Sequence, residues 1–244
     1  MRIEINERLV KRNRRIAQWL FFASFGILIG AFFITNQQAL DATAGSDTVL
    51  LLLSSLVLPL GLVATLVSVR MTNLWIRQPR PEGALREGLK GLSNRSVLYS
   101  YYHAPAQHVL FSPQGVFVLV TRFQEGSFAV QGDRWITRGG LLNAFVRVFR
   151  QDGIGDPNYD AARAARHVQK LLEPIAPGVI VRPIVVFIDP RARLTLQDPV
   201  VPVVFANPKL EPNLKDYLRE IARESAGTLT PEQIKAFEAA TLPG

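Results

Sequence analysis

The stretch of sequence that decides the fold is QHVLFSPQGVFVLVTRFQEG, residues 107–126. Pro113 and Gly115 are typical turn residues, so the stretch predicts two strands, 108–112 and 116–122, joined by a tight turn. The second strand contains VFVLV, which is apolar at every position. Because successive side chains of a strand point to opposite faces, such a strand is buried on both faces. We therefore predict a central strand in a mixed sheet with helices on both sides.

This stretch resembles the nuclease-related domain (NERD) family of the restriction-endonuclease-like superfamily. The matching residues are His108, Val109, Pro113, Gly115, Val116, Phe117, Val118, Thr121 and Gly126. A predicted helix and strand precede the match, as they do in the family, and the resemblance extends over residues 84–242. It implies a restriction-endonuclease-like α/β domain, in which a mixed sheet is flanked by helices.

The residues that carry chemistry in this superfamily are altered here. Active members hold a divalent metal with an Asp and a Glu and place a Lys at the attacked phosphate or water. The resemblance aligns these three positions with Gln107, Val120 and Arg122, and it aligns a supporting Gln of a later helix with Asp160. We call these four residues the family positions. A neutral amide and a valine cannot replace two carboxylates around a hard cation, and Arg exchanges protons poorly. The resemblance therefore implies no catalytic residue, no metal and no cofactor.

The composition excludes several other classes of site. The chain has 244 residues and no Cys, so disulfides, thiolate metal sites and thiol nucleophiles are absent. Three His are present, without the spacing of a metal-binding motif. The net charge is +8, and the excess lies at residues 1–15 and 70–95, each with six Lys or Arg against two acids. The long C-terminal part is close to neutral, which weakens a nucleic-acid interpretation based on overall charge.

Two uncharged apolar runs predict membrane helices at residues 16–34 and 48–69. Each is long enough to cross a hydrocarbon core about 30 Å thick at about 1.5 Å per residue. Arginines precede the first run and follow the second, whereas the intervening loop has none. This asymmetry places both termini in the cytoplasm of a multi-pass cell-membrane protein. Gly26 and Gly30 form a GxxxG pair, which predicts close packing on the second helix, through Gly61 or Ala64, or on another copy as a homodimer.

The sequence thus predicts a two-helix transmembrane hairpin followed by an α/β domain. Further helices are expected at 84–92, 141–149, 157–172, 210–222 and 228–242, and further strands at 96–102, 127–130, 179–188 and 200–205. The predicted segments are a basic cytoplasmic lead (1–15), transmembrane helix 1 (16–34), an external loop (35–47), transmembrane helix 2 (48–69), a juxtamembrane linker (70–83) and a NERD-like α/β domain (84–244).

Three functions are open from the sequence. The first is a membrane-anchored, catalytically inactive NERD-like domain that binds or scaffolds a nucleic acid or protein partner on the cytoplasmic side. The second is a metal-dependent nuclease acting on DNA with relocated ligands, for which Asp160, Glu125 and Asp133 are the candidates. The third is a structural membrane protein with no nucleic-acid role. Divalent-metal binding separates the second function from the other two.

Overall fold

The computed structural model describes residues 1–40, 48–138, 153–221 and 229–242. The chain divides into two compact units. One consists of residues 1–7, 79–143 and 153–244, and we call it the α/β domain. The other consists of residues 8–78 and 144–152 and contains the two long helices. The predicted helix at 141–149 lies outside the described residues.

The two long helices are α1 (Glu7–Leu40) and α2 (Thr48–Trp75), and we call them the helix pair. Each contains a stretch that is long and apolar enough to cross a membrane, Glu7–Asn36 in α1 and Ser55–Trp75 in α2. Both helices continue beyond the apolar runs identified in the sequence. Backbone hydrogen bonds form in a helix whether its side chains are charged or apolar. The basic residues from Arg8 to Arg15 are therefore part of α1 as well.

The helix pair buries small residues and exposes large apolar ones. The buried positions of α1 recur every seven residues, at Val10, Ala17, Ser24 and Ala31, and those of α2 include Gly61 and Ser68. A Cβ atom on Gly61 would lie 3.4 Å from Ile27 and 3.5 Å from Leu28, so α2 packs closely on α1 at this point. A seven-residue repeat keeps one stripe of a helix facing its partner, and small side chains let the backbones approach. We call these buried positions the seam.

The α/β domain contains nine strands and four helices within the described residues. In chain order they are β1 (Arg2–Ile5), α3 (Pro81–Gly88), β2 (Val97–His103), β3 (Ala106–Ser112), β4 (Gly115–Arg122), β5 (Gly126–Gln131), β6 (Arg134–Arg138), α4 (Pro157–Leu172), β7 (Val181–Phe187), β8 (Ala192–Gln197), β9 (Val203–Phe205), α5 (Leu214–Ile221) and α6 (Pro231–Thr241).

The main sheet has six strands in the order β1-β2-β3-β4-β7-β9. Strand β4 lies inside it, antiparallel to β3 and parallel to β7, so the sheet is mixed. The predicted turn between the first two strands forms at Ser112↔Gly115. A smaller sheet, in the order β6-β5-β8, packs beside the main one through Phe128 and Trp135.

Helices cover both faces of the main sheet, as the apolar β4 predicted. On one face Phe117 and Leu119 pack in a core that also contains leucines of α3 and α5. On the other face Val116 and Val118 pack in a core with alanines of α4 and Phe237 of α6. All four β4 side chains are almost fully buried. The expectation of a mixed sheet flanked by helices, after a long apolar N-terminal helix, is confirmed.

The structure differs from the sequence-based expectation most clearly at the N-terminus. Residues 1–15 were expected only as a basic lead, yet Arg2–Ile5 forms β1 and pairs in parallel with β2, from Arg2↔Val97 to Ile5↔Ser100. A four-residue alternation of charged and apolar residues is too short to predict a strand from the sequence. Strands β6 and β8 were also not predicted, because their mixed polar pattern reflects one exposed face.

Candidate functional site

Three of the family positions lie on neighbouring strands, Gln107 near the start of β3 and Val120 and Arg122 at the end of β4, and Asp160 lies in α4. Gln107 lies two residues before Val109 on β3, and Val120 lies two residues after Val118 on β4, where Val109 and Val118 are paired. The Gln107 side chain is exposed to solvent. Val120 is half-buried and packs against the apolar core under α4. Neither residue offers a charged oxygen.

Arg122 and Asp160 come together in the structure. Arg122 is the last residue of β4, and its Nη2 lies 2.6 Å from Oδ2 of Asp160 in α4. The Arg122 side chain is only 12% exposed, whereas that of Asp160 is 49% exposed. Nη1 of Arg122 also donates a hydrogen bond to the backbone carbonyl of Thr121. Nε of Arg122 is buried without a hydrogen-bond partner among the described residues. Arg122 and Asp160 therefore form a charge pair at the carboxyl end of the central strand.

The start of α4 explains why Asp160 reaches this point. Asp156 caps the helix by accepting a hydrogen bond from the Tyr159 backbone N–H at 2.9 Å, and Pro157 occupies the first turn. Both residue types are typical of a helix start. Asp160 then lies in the first turn, where an acidic side chain is favoured by the helix dipole. Asp160 thus neutralises the cation at the end of β4.

The relocated-ligand candidates do not gather into one site. Glu125 forms an ion pair at 2.6 Å with Arg191, which also bonds the buried carboxylate of Asp189 at 2.7 Å. Asp133 lies in the exposed β5–β6 turn, where its backbone carbonyl accepts a hydrogen bond from Asn158. Within the described residues, no group of three or more His, Asp or Glu side chains could hold a metal ion.

A divalent metal therefore does not fit the residues at the family positions. Such an ion requires several charged or carbonyl oxygens at about 2–2.6 Å. Gln107 supplies one neutral amide, Val120 supplies none, and the Asp160 carboxylate is engaged by Arg122. No reaction step can be derived through a metal at this place.

Sequence reasoning missed a buried polar network next to the β2–β3 pairing. The Tyr101 hydroxyl donates to Oε2 of Glu82 at 2.9 Å, and Glu82 also pairs with Arg80 at 2.6 Å. Burial, together with the Glu82 carboxylate, raises the pKa of Tyr101. The pairing of β2 with β3 is irregular between Ser100 and His103. At this point the backbone of Tyr101 has a positive φ of 68°, which residues other than glycine rarely adopt. No sequence signal links Glu82 to Tyr101, because they lie on different elements.

Two buried histidines lie in the same part of the sheet. Nδ1 of His108 is 3.0 Å from the Ser100 hydroxyl, and Nε2 of His103 is 3.0 Å from the Thr241 hydroxyl. Burial lowers the pKa of His108 to about 3, and burial, aided by His167, lowers that of His103 to about 4. The second ring nitrogen of each has no partner among the described residues. Both rings pack against tyrosines, which indicates a structural role.

In the helix pair, Gly26 and Gly30 lie away from the seam. A Cβ atom added at either residue would meet no heavy atom within 4 Å. The residue that contacts α1 closely is Gly61 of α2, as the sequence suggested, but its contacts are Ile27 and Leu28 rather than the GxxxG pair.

Comparisons with known proteins do not identify a relative. No family model, no curated protein and no solved structure matches the chain.

Proposed function

We propose that the protein is a membrane-anchored, catalytically inactive NERD-like module whose α/β domain binds or scaffolds a partner on the cytoplasmic face. The observation that carries the proposal is the Arg122–Asp160 pair. In a nuclease of this superfamily the end of the central strand presents carboxylates to a metal. Here it presents a guanidinium whose charge is neutralised by the neighbouring helix, so this edge lacks the means to stabilise charge on a scissile phosphate.

The distribution of apolar side chains in the helix pair supports membrane anchorage. Trp19 is 70% exposed and Phe22 is 65% exposed, while the seam residues Ala17 and Ser24 are buried. Large apolar side chains that point outward are costly in water and favourable in hydrocarbon. Small residues between two helices are typical of packing in membranes. Gly26 and Gly30 remain available for a homodimer, which is part of this proposal.

Strand β1 gives independent support for a topology with both termini on one side of the membrane. Residues 2–5 precede α1, whereas their partner β2 follows α2. A chain that crosses the bilayer between two paired strands must cross it an even number of times. Two crossings satisfy this requirement, and the Lys/Arg asymmetry assigns the shared side to the cytoplasm. Reporter fusions at Thr43 and after Gly244 test the topology, and an exterior signal from the C-terminal fusion would reject it.

The catalytic part of the proposal is tested with the full chain in detergent, because the α/β domain includes β1. We expect no measurable heat of binding with Mg²⁺ or Mn²⁺ and no cleavage of plasmid or single-stranded DNA. The variant Val120→Glu alone should stay inactive, since position 107 remains neutral. Combined Gln107→Asp, Val120→Glu and Arg122→Lys substitutions restore the superfamily's set, and metal binding by this variant would support the NERD resemblance.

Two outcomes would contradict the proposal. Cleavage by the unaltered chain that disappears in Asp160→Ala would favour the nuclease with relocated ligands. Cleavage that persists in that variant but co-purifies with the protein through a second chromatographic step would indicate a catalytic site elsewhere in the chain.

A further inference from the structure

The first two turns of α1 carry an exposed basic cluster directly before the apolar run. Its members are Arg8, Lys11, Arg12 and Arg15, all of which are exposed. At about 100° per residue, positions 8, 11, 12 and 15 fall on one face of a helix. Within the described residues none of the four makes a hydrogen bond or an ion pair. We call these four residues the basic quartet.

The opposite side of the same turns is buried. Val10 and Ala17 belong to the seam, half a helical turn away from the quartet. The quartet therefore points outward, away from the buried side of α1. A charged residue in a flexible lead could turn in any direction, whereas these four are held on one rigid surface.

The face of the quartet continues into the apolar run as an aromatic face. Trp19 follows Arg15 by one turn, and Phe22 follows Trp19 by about one turn, both strongly exposed. An aromatic residue at the boundary between basic and apolar surface is typical of the headgroup region of a bilayer. The order along the face is thus four cations, an interfacial tryptophan and a hydrocarbon-facing phenylalanine.

This order matches an anionic phospholipid, with its headgroup at the cations and its acyl chains along Trp19 and Phe22. We infer that the basic quartet of α1 is a binding site for anionic phospholipid headgroups and gives the protein a preference for anionic over zwitterionic lipid. The inference rests on the membrane anchorage in the proposed function and names a lipid class as its ligand. A nucleic acid also carries phosphates, but it has no part that would occupy the exposed aromatic face next to the cations.

The test uses the full chain with Trp75→Phe and Trp135→Phe, so that Trp19 is the only tryptophan, excited selectively at 295 nm. The protein is reconstituted into phosphatidylcholine vesicles, and lipid brominated near the headgroup, either phosphatidylcholine or phosphatidylglycerol, quenches Trp19. Each base near an anionic surface contributes about a fivefold preference. We therefore expect phosphatidylglycerol to be preferred by at least about tenfold in low salt, and the preference to fall steeply in 0.5 M salt (about 4 Å screening length).

Three variants separate charge at this site from charge in general. Replacing all four quartet residues by Gln should lower the preference at least about tenfold, while quenching by neutral brominated lipid stays. Arg8→Lys, Arg12→Lys and Arg15→Lys together should keep it. As a matched control, Arg163→Gln, Arg166→Gln and Lys170→Gln remove three exposed bases of α4 in the α/β domain and should also keep it.

The outcomes are distinguishable. Equal quenching by both lipids in the unaltered quartet would overturn the inference and leave the anchorage intact. No quenching by either lipid would contradict the anchorage itself. A loss of preference in the α4 control as large as in the quartet variant would overturn the inference. Quartet-dependent binding of duplex DNA to protein in neutral vesicles, without lipid preference, would assign the site to nucleic acid and reject the lipid.

Discussion

The two units of this chain bury opposite kinds of residue. In the α/β domain the largest side chains lie inside, with Phe117, Phe187 and Tyr99 almost fully buried. In the helix pair the largest side chains lie outside, and the buried positions are mostly Ala, Ser and Gly. Both arrangements occur in one polypeptide of ordinary overall hydrophobic content, 48%. The helix pair therefore has the outward apolar surface that the proposed membrane anchorage requires.

This difference shows which interaction holds each unit together. The α/β domain gains stability by removing large apolar surface from water, at about 25 cal/mol per Å². Helices in hydrocarbon gain nothing from hiding a phenylalanine, because lipid is as apolar as a protein core. Under the proposed anchorage the association of α1 and α2 depends on close approach, which the small residues of the seam allow.

The largest effect is expected from truncating a core phenylalanine of the α/β domain. Phe117→Ala should lower the free energy of unfolding by about 3–5 kcal/mol, through lost burial and the cavity that remains. Phe22→Ala, in the exposed face of α1, should change it by less than about 0.5 kcal/mol. Urea unfolding in detergent, followed by the fluorescence of Trp135 with Trp19 and Trp75 replaced by Phe, measures both. Equal effects would mean that the two units do not differ in solvent.

Acid should destabilise the α/β domain selectively, because all three histidines lie there. The folded-state pKa is about 4 for His103 and about 3 for His108, whereas an unfolded histidine titrates near about 6.5. Below that pH the unfolded chain binds more protons, so stability falls with pH until each folded pKa is reached. Protonation linkage at each histidine therefore lowers the free energy of unfolding by about 2 kcal/mol by pH 5.

The check is the urea midpoint of the α/β domain between pH 7 and pH 5, with far-UV circular dichroism reporting the helix pair in detergent. The double variant His103→Gln and His108→Gln should show a shallower pH dependence. A slope that is the same in the variant would contradict the assignment of the acid sensitivity to these two rings.

A matched pair of glycines in α3 tests the packing of that helix on the sheet. A Cβ atom on Gly88 would collide with the backbone carbonyl oxygen of Ala206, which cannot rotate away as a side chain could. Gly88→Ala should therefore cost about 2–3 kcal/mol of stability. Gly83 in the same helix has no atom within 4 Å of such a Cβ, so Gly83→Ala should stabilise by about 0.5–1 kcal/mol. Thermal unfolding of both variants measures the two changes in stability. An unchanged stability in Gly88→Ala would contradict the close contact between Gly88 and Ala206.

The smallest effect is expected in the seam of the helix pair. Ala17→Leu places a large side chain between α1 and α2 and should cost about 1–2 kcal/mol of association, whereas Ala23→Leu lies on the exposed surface and should cost little. Because the chain has no Cys, a Leu28→Cys and Gly61→Cys pair reports the contact through its cross-linking yield. We expect the yield to fall by about half in Ala17→Leu and to stay constant in Ala23→Leu. A lower cross-linking yield in Ala23→Leu than in Ala17→Leu would contradict the assignment of Ala17 to the seam.

Much of the fold could be predicted from local sequence. The β3–β4 hairpin follows from Pro113, Gly115 and VFVLV, and the start of α4 follows from Asp156 and Pro157, because turn and cap preferences act within a few residues. The candidate site could be predicted only in part. The resemblance marked Arg122 and Asp160 as altered positions, but their pairing depends on how α4 packs against the sheet. The Tyr101–Glu82–Arg80 network had no local signal at all.

By itself the sequence determined the apolar pattern of each segment: two uncharged runs long enough for a bilayer, and a central strand apolar on both faces. These are properties of composition and period, which the chain carries before it folds. Only the tertiary structure decided which partners meet. In the folded chain Arg2–Ile5 pairs with a strand that begins at Val97, and Arg122 forms an ion pair with Asp160. In α1 the side chains of Ala17 and Ser24 are buried, whereas Gly26 has no neighbouring atom within 4 Å of an added Cβ. The physical reason is that pairing and packing join residues far apart in the chain, whose match no local pattern encodes.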